Sequence, residues 1–144
     1  WSKSGFLTVA KEIQRAGFNP VFCVSPKERK EWIALTKGHF LIPHFTRLQD
    51  LASFVYESNF LIGNESGTGH LASNLGLPTL IMAKCPKQMA LWRPGWHQGK
   101  VLTPCKVIPN IKGMRLKKDF WRTWVRPKTV LKTFFNMISD PEYQ

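Results

Sequence analysis

Apolar residues recur at helical spacing near the start of the chain: Phe6, Val9, Ala10, Ile13 and Ala16 share one face, and Gly17 follows as a natural C′ residue. The pattern then shortens. Pro20-Val21-Phe22-Cys23-Val24 is a brief apolar run bounded by turn residues, which predicts a buried strand. Ser25-Pro26-Lys27-Glu28 has the form of a helix start, with Ser as N-cap, Pro at N1 and Glu at N3, and Lys37-Gly38 ends that helix. His39-Phe40-Leu41-Ile42 predicts a second strand, closed by Pro43. Leu48, Leu51, Ala52 and Val55 form the next helical stripe. Asn59-Phe60-Leu61-Ile62-Gly63 is a third strand, and a helix from about Gly67 to Leu75 follows, ended by Gly76 and Pro78. Residues 78–83 and 100–103 predict two more strands, residues 84–99 and 104–114 long loops. A last helix opens at Pro127 and presents Val130, Leu131, Phe134 and Ile138.

Short apolar strands alternating with amphipathic helices imply parallel pairing with helices on both faces, a doubly wound α/β sheet. Such folds normally begin with a strand, whereas this pattern opens on a helix. The expectation is therefore that the chain is a fragment whose first strand is absent.

Composition narrows the picture. The 144 residues suit one domain with its own core, and 43% hydrophobic and 12% aromatic content mark a folded chain. No apolar run approaches the ~18–20 residues of a membrane span, and the first residues lack the apolar stretch of a signal peptide. Three widely spaced cysteines, Cys23, Cys85 and Cys105, suit reduced thiols in a cytoplasmic protein better than a disulfide or zinc framework. His39, His44 and His97 have no partner at ligand spacing, so no metal site is expected. A net charge of +12, concentrated in the second half, favours an anionic partner or simply a solvated basic face. No recognition-helix or RNA-binding signature accompanies it, so nucleic acid is not the expected partner.

The candidate chemistry sits where the third strand turns into its helix, at Gly63-Asn64-Glu65-Ser66-Gly67-Thr68-Gly69-His70. Ligands of open parallel sheets bind beyond the carboxyl ends of the strands. Gly67 and Gly69 remove side chains that would hold a ligand off the backbone, and a helix start offers unpaired N–H groups and partial positive charge to a phosphate. Ser66 and Thr68 add hydroxyls, with Glu65 and His70 at the flanks. A plain capped helix with His70 in the core explains the same residues. Downstream, Arg93 could neutralise a phosphate and Trp92 or Trp96 could stack on a base or sugar, although packing under the loop also accounts for the tryptophans.

Glu65-Ser66-Gly67-x-Gly69-His70-Leu71-Ala72, followed by Leu75-Gly76-Leu77-Pro78-Thr79, resembles the donor-site signature of glycosyltransferase family 9. The family's usual form is Asp-Ser/Thr-Gly-x-x-His-Leu-Ala and then a Gly-x-Pro strand entry, and its members include the ADP-heptose:lipopolysaccharide heptosyltransferases. Trp1-x-x-x-x-Phe6 also resembles its Trp-Pro-x-x-x-Phe helix start. The likeness covers residues 1–83.

The resemblance implies the Rossmann-like C-terminal half of a GT-B glycosyltransferase, with residues 1–144 as the nucleotide-sugar-binding domain and an N-terminal acceptor domain absent. Ser66, Gly67, Thr68 and Gly69 would hold the donor diphosphate, Glu65 would lie close to the sugar, and His70 would order the turn or touch the diphosphate. Glu65 stands where the family usually has Asp. Glu28 matches a position that contacts the nucleotide ribose, while a capping box with Ser25 also explains it. The family's phosphate-binding lysine falls ahead of Trp1; Lys3 is a substitute if it is not simply solvated. No catalytic residue is expected in this chain, because the base belongs to the absent domain. The implied reaction is inverting transfer of a sugar, heptose, from ADP-heptose to a lipopolysaccharide-core acceptor, without metal or cofactor. Its implied location is the cytoplasmic face of the inner membrane, in peripheral contact with the anionic surface. A sugar-nucleotide epimerase of the same architecture is the enzymatic alternative, and a basic nucleic-acid-binding domain the non-catalytic one.

Overall fold

A computed structural model describes residues 1–84, 98–104 and 121–143. In chain order these form helices α1 (Lys3–Arg15), α2 (Pro26–Thr36) and α3 (Leu48–Tyr56), strand β1 (Leu61–Asn64), helix α4 (Gly67–Asn74), strands β2 (Thr79–Met82) and β3 (Gly99–Leu102), a short α5 (Trp121–Trp124), α6 (Pro127–Ile138) and a closing 3-10 turn (Pro141–Tyr143).

Local chemistry sets the helix ends. Ser2 caps α1 by accepting from the Gly5 amide at 3.1 Å. At the other end Gly17 takes φ +92°, so that its amide reaches Gln14 O and the Phe18 amide reaches Ile13 O. The same paired closure ends α4 at Gly76, φ +87°, through Ser73 O and Ala72 O. Both positions require the left-handed conformation that glycine adopts without penalty.

The three strands pair in the order β1-β2-β3, all parallel, with Leu61 opposite Thr79 and Thr79 opposite Gly99. Alternate residues face alternate layers. Leu80 and Met82 join Trp1, Val9, Ile13, Val125, Val130, Phe134 and Met137 in the main core, which packs α1 and α6 against one face. On the other face Leu61 packs with Val55, Ala72 and Leu77 of the α3 and α4 layer. Every residue of β2 is buried, and each such large side chain contributes about 1.5–3 kcal/mol over exposure. The doubly wound Rossmann-like α/β expectation is met.

Two expected strands are not. Residues 20–24 and 39–42 meet only at an isolated parallel bridge, Val21 with Leu41, where the Phe22 amide donates to Leu41 O at 3.0 Å. Nor are they buried strands: Cys23 is exposed, and Leu41 is 57% exposed. A strand extends through a run of successive hydrogen-bonded pairs, and among the described residues the segment 21–24 has a single bridge to Leu41 and no backbone hydrogen bond to β1. Aromatic packing holds the segments instead, with Phe22 against Trp32 and Phe40 at ring separations of 4.8 and 5.4 Å. The Arg29 guanidinium adds hydrogen bonds to Ile42 O at 3.1 and 3.3 Å.

β3 begins one residue earlier than expected, at Gly99, and glycine is required there. A Cβ at that position would meet Thr79 Oγ1 at 2.4 Å and Thr79 O at 2.9 Å, and a paired backbone carbonyl cannot yield. Gly99→Ala is therefore expected to destabilise the fold by about 1–3 kcal/mol, the usual cost of overpacking, read as a lower midpoint of thermal unfolding.

Candidate donor-binding site

At the carboxyl ends of β1 and of residues 21–24 lies a cavity of about 450 Å³. That size is ample for a small ligand. Its wall brings together Ser25, Pro26 and Glu28 from the start of α2, Pro43, His44 and Phe45 from the loop after residue 42, and Asn64, Ser66 and Thr68 from the turn into α4. Two helix N-termini thus converge on one space. Each carries partial positive charge, and a multiply charged anion is the ligand such a convergence suits.

The α4 turn follows from its sequence. Ser66 is extended, φ −161° and ψ 164°, and its hydroxyl accepts from the Gly69 amide at 3.4 Å, while the His70 amide bonds Ser66 O at 3.2 Å. The Gly67 and Thr68 amides precede the first intrahelical bonds and leave the helix at its N-terminal end. Gly67 is exposed, and a Cβ built on it meets nothing within 4 Å. Gly69 differs. It is buried, and its Cβ would meet Ile81 Cδ1 at 3.2 Å. Gly67 thus leaves open space at the turn, whereas Gly69 lets α4 lie close on β2.

At α2 the Ser25 hydroxyl donates to Glu28 Oε2 at 2.7 Å, and no side-chain cap bond forms. The capping box expected from this pair is replaced by a hydroxyl that orients an exposed carboxylate at the cavity wall. Of the anticipated site residues, Glu28, Ser66 and Thr68 line the cavity, whereas Glu65, Gly67, Gly69 and His70 belong to the same turn without lining it. His70 is half-buried, and its carbonyl accepts from the Asn74 side chain at 3.0 Å. Lys3 is neither in the cavity nor merely solvated: it pairs with Glu31, tying α1 to α2. Arg93, Trp92 and Trp96 lie outside the described residues, as does most of the basic stretch 112–128.

Asn64 and His44 are cavity residues that the sequence did not single out. Asn64 Oδ1 accepts from the Trp1 amine, which brings the start of α1 against the end of β1. His44 had only its place after a strand-ending proline to mark it. Partial desolvation of its sulfur at the wall raises the Cys23 thiol above its ordinary pKa, although the residue as a whole is exposed. Among the described residues no cluster of three or more His, Cys, Asp or Glu could hold a metal ion, and no helix is long and apolar enough to cross a membrane.

Comparison with known proteins bears on this geometry. No curated protein matches the chain. A solved structure, the crystal structure of the glycosyl transferase family 9 from Veillonella parvula DSM 2008, superposes with a TM-score of 0.75 at 20% identity over 94% of this chain. The chain spans 41% of that protein. The likeness supports the fold, a parallel sheet wrapped by helices. The sequence model of glycosyltransferase family 9 (heptosyltransferase) matches residues 1–94, which hold α1 to α4, β1, β2 and the whole described wall of the cavity. The chain belongs to glycosyltransferase family 9.

Proposed function

We propose that this chain is the donor-binding domain of a glycosyltransferase that moves a sugar, heptose, from a nucleoside diphosphate donor, ADP-heptose, to a lipopolysaccharide-core acceptor. The observation that carries the reading is the meeting of two helix N-termini and the Ser25-oriented Glu28 carboxylate on one cavity at the carboxyl edge of the sheet. The family likeness supports the reaction class.

In this reading the diphosphate lies at the Ser66–Thr68 turn, where the Gly67 and Thr68 amides and the Ser66 and Thr68 hydroxyls donate to its oxygens. Glu65 is close to the sugar, His70 orders the turn, Gly69 seats the helix, and Arg93 adds positive charge. Glu28 accepts from the ribose hydroxyls. The acceptor hydroxyl attacks the anomeric carbon from the face opposite the diphosphate, so configuration inverts. As the new C–O bond forms, the bond to the diphosphate breaks and its electron pair leaves with the phosphate oxygen. The acceptor proton passes to a carboxylate outside this chain. Preorganised amides stabilise the charge that develops on the leaving group, which is the work a metal would otherwise do. The basic surface suits an anionic acceptor at the cytoplasmic face of the inner membrane. The chain alone is expected to bind donor and not to transfer it.

Titration calorimetry with ADP tests this. The chain is expected to bind ADP, and Glu28→Ala to weaken binding about tenfold, the worth of a charge-assisted hydrogen bond, with little effect on 2′,3′-dideoxy-ADP. Equal losses for both nucleotides would remove Glu28 from the ribose. No ADP binding, with oligonucleotide binding that falls steeply as salt rises, would make the chain a nucleic-acid binder. Conversion of free sugar nucleotide without acceptor would make it an epimerase.

A further inference from the structure

The start of α2 carries Ser25, Pro26 and Glu28 onto the cavity wall, yet no buried side chain holds it down. Residues 25–28, 30 and 31 are exposed, and the buried residues of α2 are Trp32 and Thr36, both beyond its first turn. Trp32 rests on Phe22 at a ring separation of 4.8 Å. The helix is therefore pinned in its middle and can pivot at the end that meets the cavity. With a rise of about 1.5 Å per residue, Glu28 stands about 6 Å beyond Trp32, so a pivot of roughly 10° moves it by about 1 Å, enough to break a hydrogen bond. The bond from Ser25 to Glu28 does not prevent this, because both partners ride on the same turn. Nor does a side-chain cap, since none forms.

Among the described residues two polar tethers tie this end of α2 to the rest of the domain. Glu31 pairs with Lys3, but Glu31 is exposed, and exposed ion pairs fix geometry weakly. Arg29 differs. Half-buried, it donates from Nε and Nη2 to the Ile42 carbonyl at 3.3 and 3.1 Å. Ile42 is 6% exposed, and no backbone hydrogen bond reaches its oxygen among the described residues, so the guanidinium satisfies an acceptor that the chain leaves open. Two donors from one rigid plane also fix the direction of the side chain, which a single ammonium donor does not. The bond spans two stretches of the cavity wall: Arg29 follows Glu28, and Ile42 precedes Pro43.

We propose that Arg29 is a positioning residue: by anchoring the first turn of α2 on the Ile42 carbonyl, it holds the Glu28 carboxylate where the ribose hydroxyls of a nucleotide reach it. Arg29 does not itself line the cavity and acts through Glu28. The inference rests on the donor reading above, in particular on Glu28 accepting from ribose.

The test titrates ADP and 2′,3′-dideoxy-ADP into the parent chain, Arg29→Met, Glu28→Ala and the double variant, each first shown to be folded by its thermal melt. Arg29→Met is expected to weaken ADP binding about threefold to tenfold, bounded by the tenfold assigned to Glu28, and to leave 2′,3′-dideoxy-ADP within about twofold of the parent. The double variant is expected to lose no more than Glu28→Ala alone, because an absent carboxylate cannot be misplaced. Arg29→Lys, which keeps the charge and one donor, is expected to show a smaller loss of the same kind, and it carries the comparison if Arg29→Met does not fold. No loss of ADP affinity in the folded variant, equal losses for the two nucleotides, or losses that add in the double variant would overturn the positioning role while leaving Glu28 its own. If Glu28→Ala itself weakens the two nucleotides alike, the ribose reading fails and this inference falls with it.

Discussion

Gly67→Val should leave the unfolding midpoint of the chain nearly unchanged while weakening ADP binding about tenfold to a hundredfold. Stability is spared because Gly67 is exposed, has no positive φ, and offers open space where the new Cβ would stand. Binding suffers because that open space is where a diphosphate would approach the first amides of α4. A branched side chain there holds the ligand off at least one charge-assisted hydrogen bond, worth about 1.5–3 kcal/mol. At roughly 1.4 kcal/mol per factor of ten, that is the expected range. Calorimetric titration paired with a thermal melt separates the two effects. Unchanged ADP affinity in the folded variant would remove the diphosphate from this turn. Gly69→Val provides the contrast, since it presses on buried Ile81 and should fail first in the melt.

Trp1→Ala should be the most damaging single truncation among the described residues of α1 and its entry. Trp1 is 6% exposed and sits in the main core with Val9, Leu80, Val125 and Phe134. Its indole N–H donates to Val125 O at 2.8 Å, and its ring meets Phe6 edge-on at 5.1 Å. The ring also fills the space above Gly5, where a Cβ would come within 2.6 Å of it. Removing it leaves a cavity between α1 and the entry to α6, at a cost of about 3–5 kcal/mol. For a chain of this size that lowers the melting midpoint by roughly 10 °C or more. Trp1→Phe keeps part of the packing and strands only the Val125 carbonyl, so about 1–3 kcal/mol is expected. A melt of Trp1→Ala within a few degrees of the parent would show that the residue does not anchor the core.

Much of this architecture was legible beforehand, and particular residues show why. Gly17 and Gly76 terminate helices because each must adopt a left-handed conformation, a requirement the sequence carries locally. Ser66 before Gly67 announced a capped helix start, and the cap formed. The strand pattern misled at residues 20–24 and 39–42, where an apolar run was taken as evidence of a buried strand. An apolar run states that a segment prefers burial; whether it becomes a strand depends on a neighbour at hydrogen-bonding distance, and only Val21 with Leu41 has one. At the site, the Ser25–Glu28 pair looked like a helix cap by spacing alone, and the direction of its hydrogen bond was a matter of side-chain geometry.

The sequence by itself determined the order and type of most of the pieces: periodicity, caps and breakers act within a few residues, so they survive without tertiary context. The tertiary structure decided everything that depends on residues distant along the chain. Only packing against Ile81 distinguishes Gly69 from Gly67, and only tertiary packing brings Glu28 at the start of α2 to the same cavity as Ser66 at the start of α4. Such relations arise when strands choose their partners, and a linear pattern records the readiness of each strand to pair without recording which one it meets.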